Sequence, residues 1–128
     1  MFKLLKKLPD LPGVVSFRVQ ESPGAFAEHS AMLLFRQLPE QDHIALIDRI
    51  KAGDIYDIDI ARQAVVGWVD VVDDDGQQVE FSPDGLEQLL GIPGVASAAV
   101  RQYFELRNGG PEKNSPSSGD TSPERNAQ

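Results

Sequence analysis

The sequence predicts an α+β domain of two short antiparallel β-hairpins and about four helices, followed by a disordered polar tail. Three observations carry this expectation. Residues 14–20 alternate apolar and polar side chains as a half-buried strand does. Helix start and stop residues, Pro39 with Gly53 and Ser82-Pro83 with Gly91, bracket apolar residues at helical spacing. From Asn108 onward there is no aromatic and almost no aliphatic side chain, too little apolar surface to offset the entropy of ordering the chain. The expected organisation is a flexible N-terminal segment over 1–13, a single domain over 14–107 and a disordered tail over 108–128.

Taken in order, Val15, Phe17 and Val19 face one side of the first strand and Ser16, Arg18 and Gln20 the other. Ser22-Pro23-Gly24 turns the chain, and the largely apolar stretch 27–38 is expected to return as an antiparallel strand, with a helix as the alternative. Pro39 opens a helix whose first turn carries Glu40 and Asp42, where negative charge favours the positive end of the macrodipole. Ile44, Ile47 and Ile50, with Ala45 and Leu46 beside them, form a stripe expected to face the sheet, and Gly53 stops the helix. Residues 54–66 fit both periods, and Asp54 as N-cap with the following A-R-Q-A favours helix. The V-V-G-W segment reads as a strand leading into a hairpin over 68–81, turned at Asp75-Gly76. Ser82-Pro83-Asp84 starts a third helix closed by Gly91, and Pro93 starts a fourth that reaches about Leu106.

Composition narrows the function classes. With the tail set aside, the 128 residues leave room for one core. No window approaches the ~18 unbroken apolar residues of a membrane span, so a soluble chain without a membrane partner is expected. The N-terminal M-F-K-L-L-K-K-L-P-D starts basic, but lysines interrupt its apolar residues, unlike a secretory signal. The absence of cysteine excludes disulfides, thiolate catalysis and the usual structural zinc sites, and suits a reducing cytoplasm. A net charge of −8 opposes sequence-independent nucleic-acid binding, since Lys3, Lys6 and Lys7 form the only basic cluster.

No constellation points to catalysis, a cofactor or a metal. Aligning Gly76 with the sixth position of a calcium loop puts Val71 first and Ser82 last, where carboxylates are required, so Asp73-Asp74-Asp75-Gly76 reads as a turn. His29 and His43, the two histidines, lack the spacing of a metal site or a defined nucleophile. The serines lack a G-x-S-x-G context and the glycines a phosphate-loop pattern. Binding without catalysis is the better expectation, with Phe35, Trp68, Phe81, Tyr103 and Phe104 as candidate partner-binding residues. Each would equally serve as core.

The run V-V-G-W-V-D-V-V-D-D-D-G-Q-Q-V-E-F-S-P-D-G-L-E-Q-L-L-G-I-P-G-V, followed by a helix containing Y-F-E-L, resembles the tail assembly chaperones of long-tailed bacteriophages and prophages. The likeness extends upstream to F-R-Q-L-P-E at 35–40 and covers roughly 14–106, with the Gly67-Trp68 pair and the F-S-P-D segment as its most specific parts. The resemblance implies a protein of the bacterial host's cytoplasm, made during tail morphogenesis, that coats the long helical tape measure protein and keeps it soluble. It also implies, in many members, a longer form made by ribosomal frameshifting that recruits the tail tube protein. Lys113-Asn114 is a candidate slippery site for that event, although this chain continues beyond it where the family often ends. Two other classes stand beside this one: a structural tail or neck protein retained in the virion, and a small enzyme or ligand-binding domain. Detection in purified particles would favour the first, a pocket of converging polar groups with perturbed carboxylates the second.

Overall fold

A computed structural model describes residues 1–109 of the chain. Its elements are β1 (Leu11–Ser22), β2 (Ala25–Phe35), α1 (Glu40–Ala52), α2 (Asp57–Ala64), β3 (Val65–Trp68), α3 (Pro83–Leu90) and α4 (Val95–Arg107). The α+β class and the four helices agree with the sequence. The expected disordered tail lies, beyond Gly109, outside the described residues, as does Lys113-Asn114.

The first hairpin follows from its turn. Ser22 pairs with Ala25 across Pro23-Gly24, and Gly24 adopts φ 76°, the positive value a type II turn requires at the position after proline. From there the register fixes one core face. Val15 pairs with Ala31 and Gly13 with Leu33, and all four are buried. β1 starts three residues earlier than the alternation suggested: Leu11–Gly13, read as part of the N-terminal segment, pair with Phe35, Leu34 and Leu33.

β3 completes a three-stranded antiparallel sheet of order β1-β2-β3, with Leu33 opposite Trp68 and Leu34 opposite Gly67. The V-V-G-W strand therefore pairs with β2. The expected hairpin over 68–81 is a narrow ladder outside the sheet, made of the Val72–Gln78 bridge and backbone bonds of 2.9 Å from Val79 N–H to the Val71 carbonyl and from Asp73 N–H to the Gln77 carbonyl.

The helices cover one side of this sheet. α4 crosses β1 closely enough that a Cβ on Gly13 would lie 2.8 Å from Gln102 Cγ. α2 and α4 pack together through faces rich in alanine, with Ala61, Ala64, Ala98 and Ala99 all buried. α2 starts at Tyr56, not Asp54: the Asp59 carboxylate accepts the Tyr56 N–H at 3.2 Å, while Asp54 instead accepts from Arg49 Nε at 3.2 Å. α3 begins as its sequence indicates, with Ser82 Oγ accepting the Gly85 N–H at 3.0 Å and Pro83 in the first turn. α4 begins at Val95, two residues after Pro93, because Gly94 takes φ 88° and serves as its N-cap.

α1 has the expected ends, with Pro39 before it and Gly53 at φ 73° after it. Its face is a correction. Leu46 is its only buried residue, Ile44 is 51% exposed and Ile50 36%, so the isoleucine stripe does not lie against the sheet. The helix is instead held at its N-terminal end by α4. Arg107 donates to the Leu38 carbonyl and, at 2.9 Å, to Glu40 Oε1. His43 rests on Phe104 and Tyr103 with ring centroids 5.9 and 6.4 Å apart.

Candidate functional site

Trp68 stands at the end of β3, where the chain leaves the sheet for the irregular 69–81 segment and returns to α3. Three contacts fix its indole. Nε1–H donates to the Val79 carbonyl at 2.7 Å. Phe81 meets the ring edge to face, centroids 5.0 Å apart at 76°, a geometry favoured by the aromatic quadrupole. The far edge of the indole lies over α3, and a Cβ on Gly85 would be 2.9 Å from Trp68 Cη2. Gly67-Trp68 and F-S-P-D-G-L, far apart in the chain, thus form one packed unit.

Beside this unit runs an open groove of about 490 Å³. Trp68, Val71, Val79, Leu89 and Ile92 form its apolar lining and Asp73 and Asp74 sit at its acidic side. Val72, also in the lining, is 53% exposed, and neighbouring Val69 is 55% exposed. The acidic loop is shaped by Asp73, whose Oδ1 accepts the Asp75 N–H at 2.9 Å and the Gln77 N–H at 3.0 Å. With Gly76 at φ 79°, this side-chain turn leaves Asp74 and Asp75 exposed to solvent.

The five aromatic candidates divide. Phe35 and Tyr103 are core, 1% and 2% exposed, and neither lines the groove beside Trp68. Phe81 is half-buried behind Trp68, and Phe104 is half-buried under His43. Only Trp68 lines the groove. The aliphatic residues around it, Val71, Val72, Leu89 and Ile92, were not singled out from the sequence. The signal available was weak: the i, i+3 pair Leu89 and Ile92, and valines flanking an acidic turn.

Neither histidine, nor any described group with a shifted pKa, lines the groove beside Trp68. Exposed His29 lies 3.3 Å from Glu21 Oε2 and stacks on Phe17. His43 has its pKa lowered, first by burial and then by Arg107, with Glu40 opposing. Burial raises the Tyr103 pKa, with Arg107 opposing it. Arg107 is engaged with Leu38 and Glu40, and His43 Nδ1 is buried without a hydrogen-bond partner among the described residues. The Arg62–Glu87 pair, 2.6 and 3.0 Å, ties α2 to α3 at the surface and lowers the Glu87 pKa. No group of three or more His, Asp or Glu among the described residues is placed to hold a metal ion, and no helix among them is long and apolar enough to cross a membrane. No protein-family model, curated protein or solved structure matches the chain.

Proposed function

We propose that this protein is a phage tail assembly chaperone that binds the tape measure protein in the cytoplasm of the bacterial host and keeps it soluble until the tail tube forms. The observation that carries the reading is the groove beside Trp68. It is an open, mostly aliphatic surface of about 490 Å³, edged by aspartates, on a chain of net charge −8. A long amphipathic rod exposes an apolar stripe that aggregates unless covered, and a groove of this kind accepts such a stripe one or two turns at a time. The acidic edge favours a stripe flanked by lysine or arginine, and the charge of the chain would keep the complex dispersed. Of the residues that carry the resemblance, Trp68 lines this groove and Phe81 packs against Trp68.

Co-expression with the candidate tape measure protein, followed by affinity capture and size-exclusion chromatography, tests the reading. Co-elution of a partner that is insoluble alone supports it. A partner that stays insoluble while the chain elutes alone, or recovery of the chain in purified phage particles, counts against it and favours a structural tail or neck role.

A further inference from the structure

A second groove, on another part of the surface, has the opposite charge. The chain N-terminal to β1 passes beside the β2–α1 connection, where Gln37 Nε2–H donates to the Pro9 carbonyl at 2.9 Å. Two adjoining cavities result, of about 450 and 310 Å³. They share Leu8, Arg36, Gln37 and Pro39, so they form one continuous depression. Leu5 and Leu8 are 51% and 44% exposed, and Leu11, Leu38 and Leu106 extend the apolar lining.

The polar groups here reverse the character of the molecule. Lys6, Lys7, Arg36 and Arg107 gather around the depression, against only Asp10 and Glu40, on a chain whose net charge is −8. Arg107 already neutralises Glu40 at 2.9 Å. Lys6, Lys7 and Arg36 have no ion-pair partner among the described residues. Tyr103, 2% exposed, belongs to the wall. Apolar side chains bordered by unpaired cations suit a ligand that brings its own apolar stripe and carboxylates.

We propose that this basic-edged groove docks an acidic, amphipathic helix of another polypeptide, at a site separate from the acidic-edged groove beside Trp68. The carboxylates of such a helix reach Arg36, Lys6 and Lys7 while its apolar face covers Leu5, Leu8 and Leu38. Because the cations lie at the surface, binding weakens as salt rises.

The probe is a pair of fluorescein-labelled amphipathic peptides of about 20 residues, long enough to form helix, sharing one leucine stripe and differing in glutamate or lysine on the polar face. Fluorescence anisotropy against the full chain is expected to show saturable binding of the glutamate peptide, while binding of the lysine peptide, which suits the acidic-edged groove beside Trp68, does not compete with it. The triple variant Lys6→Glu, Lys7→Glu, Arg36→Glu is expected to weaken it about tenfold or more. The control Lys51→Glu, a single charge reversal on the exposed surface of α1, leaves it unchanged. All of these substitutions are at exposed positions, and circular dichroism checks that each variant is folded. Failure of the glutamate peptide to bind, its displacement by the lysine peptide, or indifference of its binding to the triple variant overturns the proposal. So does either competing occupant. Tighter association with phosphatidylglycerol vesicles than with the glutamate peptide would assign the groove to a membrane surface. Concentration-dependent oligomers in sedimentation velocity, lost in the triple variant, would assign it to a second copy of the chain.

Discussion

Gly85→Ala sets helix propensity against packing. At an ordinary helix position the change would stabilise the fold by about 1 kcal/mol, since glycine is the poorest helix former after proline. At position 85 the new methyl would lie 2.9 Å from Trp68 Cη2 and 3.2 Å from Ser82 Oγ, inside the ~3.5 Å at which carbon contacts become favourable. The indole cannot retreat freely. Moving it stretches the 2.7 Å bond from Nε1–H to the Val79 carbonyl, which contributes about 1 kcal/mol. It also disturbs the edge contact with Phe81, which contributes roughly another 0.5–1.5 kcal/mol. With overpacking costs of about 1–3 kcal/mol set against the gain of about 1 kcal/mol in propensity, the expected result is a net loss of up to about 2 kcal/mol. Trp68 is the only tryptophan, so urea unfolding followed by its fluorescence reads both the stability and the position of the ring. A shifted native emission maximum with a lower midpoint is expected. A stabilised variant with unchanged emission would refute the close packing of Trp68 on α3.

Three further outcomes are expected. Phe35→Ala removes a side chain that is 1% exposed and is expected to cost about 3–5 kcal/mol in chemical denaturation, the range for a buried phenylalanine. Val72→Ala, at a position 53% exposed, is expected to change stability by less than about 0.5 kcal/mol while lowering the yield of partner in affinity capture. For His43, burial and Arg107 hold the folded pKa below that of a free imidazole, so the unfolded chain takes up the proton first. Stability is therefore present above about pH 6.5 and is lost as pH falls from there through the lowered folded value. Comparing thermal midpoints at about pH 7.5 and about 5.5, the wild type should lose more than His43→Gln.

Elements with local punctuation were legible in the sequence. Pro23-Gly24, Pro39 with Gly53, and Ser82-Pro83 each dictate backbone conformation within a few residues, and the hairpin, α1 and α3 lie where these residues put them. The face of α1 was not legible, because Ile44, Ala45, Leu46, Ile47 and Ile50 leave apolar residues on more than one side. The choice falls to long-range contacts, Arg107 with Leu38 and Glu40 and His43 with Phe104, that no periodicity reveals. The partner of β3 is likewise non-local. Among the aromatics, Phe35 and Trp68 both lie in strands rich in apolar neighbours. Both end their strands; what separates them is that Phe35 lies on the central strand, paired with Leu11 on one side and Val65 on the other, while Trp68 lies on the edge strand. The groove itself joins residues from 68 to 92 across an irregular segment, and its aliphatic lining has no sequence signature of its own.

The most direct measurement is amide and indole chemical-shift mapping of the labelled chain on titration with an apolar-striped helical segment of the tape measure candidate. The account predicts saturable shifts at the Trp68 indole N–H and at Val71, Val72, Gln88, Leu89 and Ile92, with the hairpin of β1 and β2 unaffected. Saturable binding that leaves these positions unmoved, or no binding by a segment that aggregates alone, would contradict it.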